Sequence, residues 1–382
     1  MIKKRFFTHI LLLALLTLPL QAKQLKNKEG IACMIIDFKF DGKTIKFLEF
    51  GRLEMSRLEG HEQLYGTGKI WKKLWKHLCK FNLPIWYVGE KFTNDKAIRQ
   101  FDYLEKIGGS YHRDFSTVEK DPIFAKATMG KPLSKRKKRQ YIKNYKGIII
   151  DKFHKGSKLK KLKKEYPDFI VINCRSVDYC ANKHKASQLF EMTKLDKYKP
   201  NWKAYPAKYS PTLANEIVQD LSCDTVVIKP LSSSKGKGVI IVDKQNLDKT
   251  LKKIFTNKSA LQKEEDVAFN YWADYTRDTF LVECFEQSKP VCVKKEEYDG
   301  TARVVVVLTH DKGKITLRTL GFYWKLPVKA LSEEGTLLEK HKSKIKKGKP
   351  SSAKVSKKDQ RKIRKILKKI MPKLYKKMIE LN

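Results

Sequence analysis

Apolar residues along the chain fall into short β-branched runs separated by helix-period stretches and glycine turns. Residues 31–38 and 44–50 read as the two strands of a hairpin around Asp41-Gly42, a pair suited to a tight turn. Residues 51–68, with Ser56 and His61, read as a polar surface loop, with part of a substrate pocket as the other reading; His61 has no catalytic part. An aromatic-rich helix is predicted over 70–81, a strand over 84–89, and a helix over 95–107 that stops at Gly108-Gly109. Strands at 147–150 and 169–173 flank a lysine-rich helix, and that alternation predicts an α/β domain. Residues 131–146 are heavily basic and read as an exposed loop or helix face.

The second half has the clearest local pattern. Val226-Val227-Ile228 and Val239-Ile240-Ile241-Val242 are β-branched runs on either side of a small polar loop, which carries Ser233, Ser234, Gly236, Lys237 and Gly238. Glycine lets backbone N–H groups turn toward an anion, and Lys229, Lys235 and Lys237 surround them with positive charge. A polyphosphate suits such a loop; a plain β-hairpin with a lysine-rich tip is the other reading. No Gly-Lys-Ser/Thr closes a P-loop here, and the loop leads to a strand where a dinucleotide fingerprint would open a helix. At the end of the chain, 357–381 is an amphipathic helix with Ile363, Leu367, Ile370, Leu374 and Met378 on one face, which Pro372 is expected to kink or divide.

Composition adds a size and a sign. At 382 residues and 41% hydrophobic, the chain can build two or three domains with proper cores. Its 83 Lys and Arg against 41 Asp and Glu give a formal charge of +42, which attracts nucleic acid, anionic lipid or nucleotide alike. Lysine is spread along the chain, so no dedicated nucleic-acid partner is expected. A charged start, an apolar stretch over 6–20 and Ala22 at a cleavage position read as a secretory signal peptide, too short to span a bilayer. It implies export, to a periplasm, the exterior or a host cell. Seven cysteines without a Cys-x-x-Cys pair indicate neither a zinc site nor a disulfide framework, and Cys284 reads as a buried apolar residue.

Lys229-Pro-Leu231 followed by Gly236-Lys-Gly-Val239 resembles the nucleotide-binding segment of the ATP-grasp superfamily, most closely its glutathione synthetase-like members. Asn182-Lys183 looks like the pair that opens a helix there and directs its lysine to nucleotide phosphates. Glu283, Cys284, Phe285 and Glu286 resemble the hinge on which adenine lies, with backbone groups making the base-specific bonds. Asp299-Gly-Thr-Ala-Arg303 is similar to the element whose arginine stabilises the transferring phosphoryl group; Lys325 is a second candidate cation.

The resemblance spans 169–326 and implies an α/β (α+β) architecture. A signal peptide (1–22) precedes an N-terminal α/β substrate-side domain (23–175), an ATP-grasp domain of two α+β subdomains (176–335), and a basic linker with the terminal helix (336–382). It further implies ATP and Mg2+, a carboxylate substrate, and ligation to an amine or thiol through an acyl phosphate. The family's metal-binding acids have no counterpart in order after Arg303; Glu296, Glu297, Asp299 or an N-terminal residue stand as substitutes, and Glu380-Leu-Asn382 spells Glu-x-Asn on a helix end. Residues 340–356 read as a mobile basic segment. The rival readings are a nucleotide-binding protein without catalysis and a basic protein for nucleic acid or anionic membrane.

Overall fold

The computed structural model describes residues 30–53, 57–89, 104, 109–112, 118–122, 124, 145–151, 156–233, 236–343 and 350–382. The predicted leader, Ser56, Ser234, Lys235, most of the basic stretch 131–146, and all but Leu104 of the predicted helix over 95–107 lie outside them. In chain order the strands are β1 (Gly30–Phe40), β2 (Ile45–Arg52), β3 (Ile85–Val88), β4 (Gly109–His112), β5 (Gly147–Asp151), β6 (Phe169–Val171), β7 (Trp202–Pro206) and β8 (Thr225–Lys229). They continue as β9 (Ile240–Asp243), β10 (Thr279–Cys284), β11 (Val291–Val293), β12 (Glu296–Tyr298), β13 (Thr301–Asp311), β14 (Lys314–Lys325) and β15 (Ser352–Ala353).

The fold is mixed α/β, with three larger sheets and the small hairpin β11–β12 among the described residues. An antiparallel sheet in the order β15-β14-β13-β1-β2 joins the N-terminal hairpin to strands from beyond residue 300. A parallel sheet, β4-β3-β5-β6, and an antiparallel one, β7-β10-β8-β9, complete the frame.

The five-stranded sheet is covered on both faces, which explains why β13 reads as an unbroken valine run. Val304 and Val306 pack with the C-terminal helix Lys357–Glu380. Val305 and Val307 pack with Trp71, Leu74 and Trp75 of the helix Lys69–Leu78 and with Ile85, Ile148 and Ile170 of the parallel sheet.

Three expectations are corrected. Of the kink or division expected at Pro372, division does not occur: the C-terminal helix is one continuous element. Nine residues of the helix are buried, so tertiary packing outweighs the one backbone bond that proline removes. Within 57–68 there is a helix, Glu59–Tyr65, that buries His61 against Tyr65 and Tyr323. Burial, with Lys73 and Lys69 nearby, pushes this imidazole down to about 4, so it is neutral. The segment after 336 also has structure: a capping box, in which Thr336 and Glu339 satisfy each other's backbone N–H groups, starts the helix Leu337–His341. Ser352-Ala353 adds an edge strand beside β14.

No helix among the described residues is long and apolar enough to cross a membrane.

Candidate functional site

The glycine loop links β8 and β9 of the antiparallel sheet, as its pattern predicts. Gly236 and Gly238 both take φ of +71°, a region L side chains rarely enter. A Cβ on Gly238 would also stand 2.7 Å from a ring carbon of Tyr271 and 2.8 Å from Pro230. The loop is tied down by Gly238 N–H to Val267 O at 3.0 Å and by the indole of Trp272 to Gly238 O at 2.9 Å.

Lys183 opens the helix Lys183–Met192, capped by the Asn182 side chain. Its backbone N–H donates to Leu231 O at 2.9 Å, and its ammonium donates to Ser233 O at 3.1 Å and Ser233 Oγ at 2.9 Å. Thus the two lysines singled out in the sequence converge on one loop: Lys229 at the end of β8 and Lys183 against its crest. Lys237 of the same loop is exposed, and Ser234 lies outside the described residues.

Between them sits Glu283. β10 is a central strand, between β7 and β8, and it aims Glu283 inward, where its carboxylate accepts hydrogen bonds from both Lys199 and Lys229. All three side chains are buried. Burial alone would raise the Glu283 carboxyl, but Lys199 and Lys229 outweigh it and hold it below its ordinary range. Burial pushes Lys199 down to about 8 despite Glu283. It pushes Lys183 to about 8 as well, with Lys229 and Arg57 adding to the effect while Glu49 and Glu283 oppose it. Two ammonium groups therefore share one carboxylate and that of Lys183 lies within electrostatic range, while Glu49 and Arg57 add one charge of each sign. That excess of positive charge attracts an anion.

The remaining hinge residues serve the frame. Cys284 forms a disulfide with Cys223, which fastens β10 to the segment after the helix Leu213–Leu221. This corrects the reading of Cys284 as a plain buried thiol: two cysteines 61 residues apart in the sequence stand side by side. Phe285 packs edge-on against His341, and Glu286 pairs with Lys46 at 3.4 Å.

Arg303 stands on the five-stranded sheet, directly opposite Asp37 on β1 and Tyr323 on β14. Asp37 takes Nε and Nη2 at 2.6 Å each, and Nη1 donates to Arg57 O at 2.9 Å, so each nitrogen has a protein acceptor. Lys325 reaches the same carboxylate at 3.0 Å. Burial would raise Asp37, but Arg303 and Lys325 hold it well below its usual value. Two residues further along β1, Lys39 binds Asp299 at 2.7 Å, and His341 binds the same oxygen at 2.8 Å. Glu49, the neighbour of Asp37 on β2, links the two regions, lining a cavity with Phe50, Arg57, Tyr179, Lys183 and Ser233. A second cavity, lined by Cys33, Arg52, Trp71, Tyr87, Asp151 and Asn173, opens at the carboxyl ends of β3 and β5. In the sheet order, β4 follows β3 on one flank and β6 follows β5 on the other, the switch of direction at which α/β sheets accept ligands.

A magnesium ion does not fit the acids present. Among the described residues no three His, Cys, Asp or Glu side chains gather to hold a metal. Asp37, Glu283 and Asp299 are already occupied by cations of the chain. Glu296 and Glu297 are exposed on the small hairpin, and Glu380 and Asn382 end the C-terminal helix, where Asn382 bonds Arg175 O and Met378 O. Of the charged side chains lining the cavity beside Ser233, Lys183 and Arg57 are basic and Glu49 is acidic.

Asp37, Lys39, Glu49, Lys199 and His341 are residues of the candidate site that sequence reading passed over. Only Lys199 carried a local signal: Lys199-Pro200 repeats the dipeptide of Lys229-Pro230.

No family model matches the chain, and no curated protein matches it either. Among solved structures it is similar to a protein provisionally described as a gamma-glutamylcysteine synthetase from Methylobacillus flagellatus KT. The two are 8% identical over 97% of this chain and 94% of that one, with a TM-score of 0.47. A D-alanine-D-alanine ligase from Helicobacter pylori matches at 12% identity over 45% and 62% of the two chains, TM-score 0.24. A D-alanyl-alanine synthetase A from Vibrio cholerae O1 biovar eltor matches at 9% over 78% and 80%, TM-score 0.35. Likeness of this degree says nothing about substrate, and the chemistry rests on the side chains.

Proposed function

We propose that the protein is an ATP-grasp ligase that holds ATP beneath the glycine loop and uses it to activate a carboxylate. The observation that carries this is the charge imbalance around Glu283: Lys199 and Lys229 both bond its one carboxylate, and Lys183, held by Ser233 of the glycine loop, lies within electrostatic range. Phosphate oxygens would complete the neutralisation and raise both depressed ammonium groups.

In this reading Lys229 and Lys183 bind the phosphates, and Ser233, Gly236, Lys237 and Gly238 cover them. The chain after Glu283, at Cys284, Phe285 and Glu286, borders the base. The substrate carboxylate occupies the second cavity near Arg52, on the strand that also brings Glu49 to the first. Its oxygen attacks the terminal phosphoryl group, giving an acyl phosphate and ADP; an amine or thiol then displaces phosphate. Arg303 supplies positive charge from a fixed position, and forming a bond to the phosphoryl group would require it to give up a present partner.

One observation favours a second reading, a protein that binds ATP without turnover: every nitrogen of Arg303 is engaged and, among the described residues, the acids offer no metal cage. Thermal unfolding with and without MgATP tests binding, with Lys229→Ala as the folded control that loses the stabilisation. An absence of stabilisation in wild type sinks the proposal. Release of ADP and phosphate across a panel of amino acids and small peptides, beside Arg303→Ala, separates the two readings. The disulfide supports placing the working protein in an oxidising compartment, in keeping with the predicted export.

A further inference from the structure

The C-terminal helix Lys357–Glu380 carries eleven Lys and Arg and two acids, a density about twice that of the chain as a whole. Both acids stand near its ends and are paired: Asp359 is buried against Lys289 at 2.6 Å, and Glu380 lies 3.5 Å from Lys377. The apolar residues are fully spent on the sheet, with Ile363, Leu367, Ile370, Leu374 and Met378 at 0% exposure.

At 100° per residue, Lys358, Lys362, Lys365, Lys369 and Lys376 fall within a narrow stripe opposite that buried face, over about 27 Å. Of these, Lys358, Lys365 and Lys369 have no ion-pair partner among the described residues. The arrangement repels itself, since Lys358–Lys362, Arg361–Lys365, Lys365–Lys369 and Lys369–Lys373 are all like-charged neighbours at i,i+4. A face needed only for solubility would be better served by alternating signs, as in the Lys161–Glu165 pair elsewhere in this chain.

We propose that this stripe is a docking surface for an anionic phospholipid bilayer, on which the helix lies parallel to the membrane plane at headgroup level. Charge complementarity favours an extended anionic partner: the row is lysine-dominated, about 27 Å long and carried by a helix whose other side is packed on a sheet. Insertion is ruled out because the apolar face is occupied, so adhesion is by charge alone. A nucleic-acid surface would want guanidinium forks and aromatic rings, and the stripe contains neither.

The test is sedimentation of the full chain with phosphatidylcholine vesicles, with and without phosphatidylserine. Lys358→Gln, Lys365→Gln, Lys369→Gln and Lys376→Gln are combined in one variant. A matched control combines Lys249→Gln, Lys252→Gln, Lys258→Gln and Lys263→Gln, exposed lysines of the nucleotide half. Wild type is expected to bind only the phosphatidylserine vesicles and to be released by salt. The helix variant should partition more than about a hundredfold more weakly, at about fivefold per lysine, with the control far less affected. Equal losses in both variants would reduce the effect to net charge and overturn the proposal, as would absence of binding by wild type. Tighter binding to a DNA duplex at equal phosphate concentration would assign the face to nucleic acid and overturn it too. Glutamine preserves helix propensity, and if the combined variant fails to fold, the pairs Lys358→Gln/Lys365→Gln and Lys369→Gln/Lys376→Gln give the same reading at about tenfold or more each.

Discussion

Arg303 and Asp37 face each other on neighbouring strands, 266 residues apart in the sequence, and share two hydrogen bonds of 2.6 Å in the covered sheet. Both are nearly excluded from solvent, with Arg303 at 7% exposure and Asp37 at 2%. Asp37→Asn leaves a buried guanidinium without its counter-charge and is expected to destabilise the fold by about 3–5 kcal/mol in urea unfolding. Asp37→Leu with Arg303→Met should recover part of that loss. Because the Asp37 carboxyl is held below its ordinary value of 3.8, the pair's contribution is complete above that pH. It drains away as the solution is acidified below it.

Lys183 and Lys199 give a basic-side signature. Their ammonium groups are depressed from 10.5 to about 8, so between those values the folded protein is short of protons that the unfolded chain retains. Stability from these two groups therefore rises with pH across that window. ATP acts in the opposite sense on protonation: phosphate restores the charge, so binding in the window takes up protons. Calorimetry in buffers of different ionisation enthalpy should register the uptake, and Lys183→Gln should reduce it. Binding heats independent of buffer would contradict this account.

Gly238→Ala and Gly313→Ala separate backbone strain from collision. Both glycines have positive φ, +71° and +76°, but a Cβ on Gly313 meets nothing within 4 Å, whereas one on Gly238 meets Tyr271 and Pro230. Gly313→Ala is expected to cost about 1 kcal/mol with nucleotide binding unchanged. Gly238→Ala should cost more and weaken ATP binding, as thermal shift would read. Equal effects would mean that the loop yields freely.

The Cys223–Cys284 bridge should protect two of the seven cysteines from alkylation in the folded, unreduced chain, as intact mass measures. Cys223→Ser is expected to lower stability by about 2–5 kcal/mol and to make the melt indifferent to reductant. A wild type equally indifferent to reductant would remove the bridge from the account of β10.

What the sequence makes legible is what lies close along the chain. The strand, loop and strand from Thr225 to Asp243 announce themselves through β-branched residues and paired glycines, and the lysine that ends β8 stands where its motif puts it. Glu283 was recognisable as a residue but not as the carboxylate between Lys199 and Lys229, because that depends on which strands become neighbours. The Asp37–Arg303 pair is beyond sequence reading for the same reason, since register between β1 and β13 is set by the whole sheet. Pro372 does not divide its helix because local propensity is outweighed by the buried face, which no local signal weighs. Disulfide connectivity likewise has no signature in scattered cysteines.

The position of β1 between β2 and β13 also dictates when the protein can become itself. A growing chain makes its first hairpin early, yet that hairpin keeps one open edge until residues beyond 300 arrive to cover it. Long-range pairing of this kind cannot close until those residues are made, so the sheet is completed only near the end of synthesis. The last sheet strands thus act as a completion mark: a chain stopped short of Thr301 presents a hydrophobic ribbon with an unpaired edge, the form that chaperones and proteases are built to notice.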